Sequence, residues 1–172
     1  MDILTSGAML ESASSLDKKW LVTNDRGLQL EFRLLPRPPS KKVLGSFARD
    51  AGWPRLQRGP SQLQHPNARV QWLGVHHGGT LVGIAQLAFA PPEFCFLSSF
   101  VVKRKVRRMG IGTCVVGELE RYCADSGIGY LVLEPTAESL PFYLGLSYLP
   151  DPLVAGMLRK KLGSFAQKRL SA

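Results

Sequence analysis

Phe100-Val101-Val102-Lys103-Arg104-Lys105-Val106-Arg107-Arg108-Met109-Gly110-Ile111-Gly112-Thr113 is an apolar run, then a basic segment, then two glycines that open a helical pattern. Residues 94–102 read as a strand. Ile111, Val115, Leu119, Tyr122 and Cys123 then recur at helical spacing in a helix predicted over 111–126 and stopped by Gly127. A helix start presents unpaired backbone N–H groups and the positive end of the helix dipole, and glycines let an anion approach that backbone closely. Arg107 and Arg108 add formal charge beside it. The plain alternative is a solvated charge cluster, but glycines directly after the arginines favour a phosphate-binding turn.

Two common phosphate motifs fail here. No G-x-x-x-x-G-K-[ST] occurs, and G-x-G-x-x-G would need glycine where Val115 stands. Neither a Walker nucleotidase nor a Rossmann dehydrogenase is supported.

What remains is R-x-x-G-x-G from Arg107 to Gly112, and it resembles the coenzyme A signature of the GNAT superfamily of acetyl-CoA-dependent N-acetyltransferases. A second segment strengthens the resemblance: Leu133-Glu134-Pro135-Thr136-Ala137-Glu138-Ser139-Leu140-Pro141-Phe142-Tyr143-Leu144-Gly145-Leu146-Ser147-Tyr148 is similar to that family's strand, short helix and P-hydrophobic-Y-x-x-L-G-F run. The resemblance covers about residues 28–162. It implies an α/β fold, a single-domain mixed central sheet flanked by helices, in which a splayed strand pair holds acetyl-CoA.

The resemblance also implies a chemistry. The pantetheine arm would pair with backbone near Phe100, Val101 and Val102. The diphosphate would take donors from the turn built by Arg108, Met109, Gly110, Ile111, Gly112 and Thr113, with Arg107 nearby. A neutral amine would attack the thioester directly, without an acyl-enzyme, and backbone N–H near a strand bulge would hold the oxyanion. Tyr143 falls where the family's tyrosine serves the departing thiolate; a purely structural tyrosine is the alternative. Glu134, Glu93 and Asp151 are the candidate bases, since residues 94–102 carry no carboxylate or histidine where some relatives place a glutamate. Ser147 replaces the usual glycine after the tyrosine. A homodimer is a family-level expectation.

Composition sets the bounds. A chain of 172 residues, 45% hydrophobic, suits one globular domain with a real core. We divide it into an N-terminal extension (1–27), an acetyltransferase-like domain (28–162) and a basic C-terminal tail (163–172). No apolar run reaches the roughly 18 residues of a membrane span, and no leader pattern opens the chain. Cys95, Cys114 and Cys123 have neither C-x-x-C spacing nor an even count, which fits packing in a reducing cytoplasm and not a zinc site or disulfide framework. The formal charge of +9 suits a polyanion such as coenzyme A. Nucleic acid is a weaker partner class, because the basic segments lack interleaved aromatics and no helix-turn-helix or zinc finger is present. A catalytically silent acyl-CoA-binding module is the alternative function.

Elsewhere, Leu28, Leu30, Phe32 and Leu34 alternate as a half-buried strand does. Ser40 caps a helix predicted to reach Ala51, ahead of Gly52. Residues 53–68, rich in Pro, Gln and Arg, read as a long loop whose Trp53 either lines the acceptor pocket or anchors the core. Strands at 70–75 and 80–89 flank His76, His77, Gly78 and Gly79, read as a hairpin with exposed turn histidines. The predicted strand at 130–134 lies parallel to 94–102 through a crossover helix. Within that helix Glu118, Glu120, Arg121 and Asp125 are expected to face water. Segments 147–149 and 153–160 read as a closing hairpin around Pro150, Asp151 and Pro152, and no metal site is expected.

Overall fold

Alternating apolar side chains build strands β1 (Lys19–Thr23), β2 (Gln29–Leu35), β3 (Arg69–His77), β4 (Thr80–Ala90), β5 (Phe94–Val102), β6 (Tyr130–Leu133), β7 (Leu149–Pro150) and β8 (Leu158–Lys161). They form one sheet, in the order β1-β2-β3-β4-β5-β6-β8-β7, in a computed structural model that describes residues 18–53 and 68–163. Neighbouring strands are antiparallel except β5 and β6, which run parallel through the crossover helix α2 (Ile111–Asp125). Helices α1 (Lys41–Ala51) and α3 (Leu140–Gly145) complete the layers. This is the mixed α/β architecture expected from the sequence.

Strand alternation separates two cores. Trp72 and Leu73 are neighbours in β3 and therefore point to opposite faces. Leu73 joins the large cluster with Ile111, Val115, Val116, Leu119 and Cys123 of α2, whereas Trp72 joins Phe47 of α1 with Ile84 and Val101. The two helices thus cover opposite faces of the sheet. Ser40 caps α1 through its hydroxyl, which accepts from Val43 N at 3.3 Å, and Gly52 ends the helix at φ 71°. Gly78 and Gly79 turn the β3–β4 hairpin at φ 54° and 77°.

Several expectations need correction. The sheet begins one strand before Leu28: β1 pairs antiparallel with β2, from Lys19 opposite Arg33 to Thr23 opposite Gln29. Trp20 explains why this strand docks, because it stacks on Phe32 at 5.3 Å and its Nε1 donates to Glu118 Oε2 at 2.9 Å. Glu118 and Glu120 accordingly do not simply face water. Glu120 accepts from the Tyr148 hydroxyl at 3.1 Å and from Lys160 Nζ at 2.9 Å, and so ties α2 to the sheet. His76 and His77 end β3 and are not turn residues; His77 Nδ1 lies 3.0 Å from Gln29 O, and half-burial lowers the His76 pKa. The closing strands β7 and β8 are antiparallel as expected, but a longer loop joins them and β8 also pairs with β6.

Of the loop expected over 53–68, the tail expected over 163–172 and the extension expected over 1–27, residues 54–67, 164–172 and 1–17 lie outside the described residues. Among the described residues no helix is long and apolar enough to cross a membrane, and no three His, Cys, Asp or Glu side chains form a metal-holding group.

Candidate active site

A break in the sheet creates the site. Ile84 pairs with Val101 and Gln86 with Ser98, so Ser99 and Phe100 together oppose Ala85 in a bulge with Ser99 at φ 51°. The bulge reverses the faces of β5. Leu97 lies in the α2-side core and Val101, four residues on, in the α1-side core, whereas an unbroken strand would put both on one face. Pairing of β5 with β6 ends at the same place, with Leu97 opposite Leu133. Glu134 follows, and then Pro135, which has no N–H to extend a ladder. Beyond that point the two strands part around a cleft.

The backbone facing this cleft is identifiable. Lys103 N donates to Val82 O at 2.8 Å, and antiparallel alternation then turns Val101 toward β4 and Phe100 and Val102 toward the cleft. The Val102 carbonyl accepts from Arg107 Nε at 3.0 Å, and Arg107 Nη2 also donates to Asp50 O at 2.7 Å. Arg107 is therefore a brace between β5 and α1 as well as a charge on the cleft wall.

At one end of the cleft stands the start of α2. Gly110 occupies the N-cap at φ 75° and supplies no capping side chain, unlike Ser40 in α1. The first helical bond runs from Cys114 N to Gly110 O, which leaves the N–H groups of Ile111, Gly112 and Thr113 without intrahelical acceptors. Arg108, at φ 66°, stands just before them. Uncapped N–H groups, the helix dipole and arginine together form an anion cradle.

The opposite lip comes from α3. A Cβ added at Gly112 would lie 3.5 Å from Phe142 Cζ, so the two helix starts nearly touch. Tyr143 lines the cleft with only 7% of its surface exposed, held edge-on against Phe142 at 5.1 Å and Tyr148 at 5.6 Å. Burial raises its pKa well above the usual phenol value, so the hydroxyl keeps its proton across the physiological range.

The cleft encloses about 790 Å³. Its walls bring together Phe100, Val101, Val102, Arg107, Arg108, Gly110, Ile111, Gly112, Thr113 and Tyr143. Met109 does not line it; its side chain packs against the large core. Glu134 is exposed beyond β6 and does not line it either. Asp151 is committed to its own loop, where Oδ1 accepts from Leu153 N at 2.7 Å and Val154 N at 2.9 Å. Trp53 lines the cleft and also packs against the α1-side core.

Sequence reasoning missed Arg26, Thr136, Glu138 and Phe142 on the walls. Phe142 and Glu138 flank the quoted tyrosine segment and could have been included from it. Arg26 carried no local signal, because its approach depends on a long-range contact.

A family model described as the acetyltransferase (GNAT) family matches residues 40–146. No curated protein matches the sequence. Among solved structures, the GNAT domain of S. lividans PAT superposes with a TM-score of 0.62 at 13% identity, covering 84% of this chain and 97% of that one. A GNAT family acetyltransferase from Elizabethkingia anophelis with acetyl-CoA bound gives 0.57 at 12% identity, over 77% and 98% of the two chains. The PaiA N-acetyltransferase from Thermoplasma acidophilum in complex with coenzyme A gives 0.54 at 17%, over 77% and 98%. Likeness at such identities is a likeness of fold.

Proposed function

Because the chain belongs to the acetyltransferase (GNAT) family, we propose that it transfers an acetyl group from acetyl-CoA directly to a primary amine of a small molecule or a protein. The observation that carries this reading is the cleft itself, where an uncapped helix start, an unpaired strand edge and a buried tyrosine converge. The residues fit coenzyme A chemically: N–H donors and arginine for phosphates, backbone amide groups for an amide-bearing arm, and an apolar wall for its methylenes. When bound, acetyl-CoA supplies the activated thioester.

The chain's own groups then have separable tasks. The α2 start and Arg108 hold the anionic end. Phe100 and Val102 offer backbone hydrogen bonds to the arm and, at the bulge, a donor for negative charge developing on the acyl oxygen. Tyr143 hydrogen-bonds the departing sulfur. Since its pKa is raised, and a free thiol already titrates near about 8.5, the phenol stabilises the thiolate by sharing its proton and does not surrender it fully at neutral pH.

No acyl-enzyme is needed. Among the described residues the cleft wall carries no cysteine or histidine, and Ser139, its one serine, is engaged with Thr136. Among the described residues the wall carries a single carboxylate, Glu138. Neutral amine therefore arises by desolvation and solvent exchange, and the rate at subsaturating amine should climb with pH toward the amine's own pKa. The same scarcity of bases favours, as a second reading, a catalytically silent acyl-CoA-binding module. Three free cysteines suit a reducing compartment such as the cytoplasm.

Thermal unfolding with and without acetyl-CoA tests the cleft, because a ligand bound only by the native state must raise stability. Release of free thiol with a panel of amines and lysine or amino-terminal peptides tests transfer. A shift with amine-dependent thiol release is expected. A shift without release for any amine would replace the enzyme by the silent module, and no shift would remove the cofactor assignment.

A further inference from the structure

Outside the signature segment, the turn between β1 and β2 lies against the back of the anion cradle. Asn24 is 8% exposed, and both polar ends of its side chain are engaged in place. Its Oδ1 accepts from Arg26 N at 3.0 Å and Leu28 N at 2.9 Å, which shapes the turn, while its Nδ2 donates to Met109 O at 3.0 Å. That last bond spans 85 residues and fixes the peptide immediately before Gly110. A Cβ added at Gly110 would stand 3.3 Å from Asn24 Nδ2 and 3.7 Å from Arg26 Cδ, so the stem of Arg26 crosses over the N-cap of α2. Arg26 accordingly reaches the cleft wall.

The charges on that wall are not equivalent. Arg26, Arg107 and Arg108 all line it, but the Arg107 guanidinium is spent on two backbone carbonyls. No hydrogen bond or ion pair to another described residue occupies the guanidinium of Arg26 or Arg108. Two arginines with unengaged guanidinium donors thus line the same cleft as three uncapped N–H groups. An arginine beside anion-binding backbone donors is suited to phosphate oxygens, which it meets with two parallel N–H bonds.

Resting on the coenzyme A reading above, we infer that the β1–β2 turn completes the phosphate site: Asn24 positions the Met109 and Gly110 backbone, and Arg26 binds the phosphates. The strand that the sequence reading left in an N-terminal extension would then be part of the binding machinery. It brings a cation that the R-x-x-G-x-G segment does not contain.

Calorimetric titration of coenzyme A into the full chain, into Arg26→Ala and into Asn24→Asp, from about 50 to about 500 mM salt, tests this. For Arg26→Ala we expect affinity about tenfold weaker at low salt, converging on the unaltered chain as salt screens the lost charge. Equal affinity at every salt, or a loss that does not change with salt, would overturn the binding role of Arg26. Asn24→Asp keeps the Oδ1 acceptor that shapes the turn, replaces the donor to Met109 O and adds a negative charge beside the cradle. Salt screens the repulsion by that charge, so positioning is read at about 500 mM salt, where coenzyme A should still bind several-fold more weakly; affinity equal to the unaltered chain at that salt would overturn the positioning role. If the unaltered chain does not bind coenzyme A at any salt, the coenzyme A reading itself fails and this inference with it.

Discussion

Tyr143 and Ser147 show how much rests on single positions near the cleft. Tyr143→Phe removes the only polar atom of that side chain and leaves its packing against Phe142 and Tyr148. We expect the turnover rate to fall by about 10²-fold or more with coenzyme A affinity retained, as measured by thiol release and calorimetry. An unchanged rate would make the tyrosine structural. Ser147 stands at φ 68°, where a Cβ is strained, and glycine at this place in the related signature fits that backbone freely. Ser147→Gly should therefore raise stability, by up to about 1 kcal/mol in denaturant unfolding, with the lost strain partly offset by the entropy of glycine. A fall in stability would mean that the serine hydroxyl contributes more than the strain costs. Residues with this kind of local consequence were readable in advance: Gly110, Gly112 and Tyr143 announce themselves by spacing. Arg107 was read only for its charge, and nothing local indicated that its guanidinium braces Val102 and Asp50.

Among the elements, β5 carries the most information. Its hydrophobic run identified it, and the same run predicted its parallel partner through α2. The bulge at Ser99 and Phe100 was not legible as a position, because it arises from a mismatch of register with β4 and not from any residue that demands it. Arg107 holds the end of this strand to the end of α1, so Arg107→Lys tests the brace. A lysine keeps the charge but has no planar fork for two carbonyls, and we expect a loss of about 1–2 kcal/mol in denaturant unfolding. Stability equal to the unaltered chain would assign Arg107 to the ligand alone. Strand β1 was missed for a different reason. Its five residues, KWLVT, are too few for a period to emerge from a mixed background, and their place is settled by Trp20 stacking on Phe32 and donating to Glu118.

The molecule as a whole carries a charge of +9, which serves equally a coenzyme A site and unspecific attraction to nucleic acid. The two differ in their response to salt and in what they stabilise. A nucleic-acid complex would lose affinity steeply with salt and give no thermal shift with acetyl-CoA. Stability should also depend on alkaline pH. Burial raises the pKa of Tyr143, and burial together with the Glu120 carboxylate raises that of Tyr148, so both keep their protons in the folded state while unfolded tyrosines ionise near about 10. Above that pH the unfolded state binds fewer protons, and stability must fall as pH rises; below it these two groups contribute no pH dependence. Thermal midpoints flat to about pH 9 and declining from about 10 are expected, with a shallower decline in Tyr148→Phe.

Local chemistry was enough to identify the glycine turn that opens α2, the crossover unit and the tyrosine segment, because each depends on residues within one or two turns of chain. A glycine that must open a helix, an alternation that must bury one face and a proline that must end a ladder impose their conformations wherever they stand. What the chain could not disclose before folding is which distant groups share a space. The docking of Trp20 on α2, the reach of Arg26 to the cleft and the half-burial of Glu118 and Glu120 all join residues far apart in sequence. Their energies come from packing and desolvation, which exist only once the sheet has closed around them.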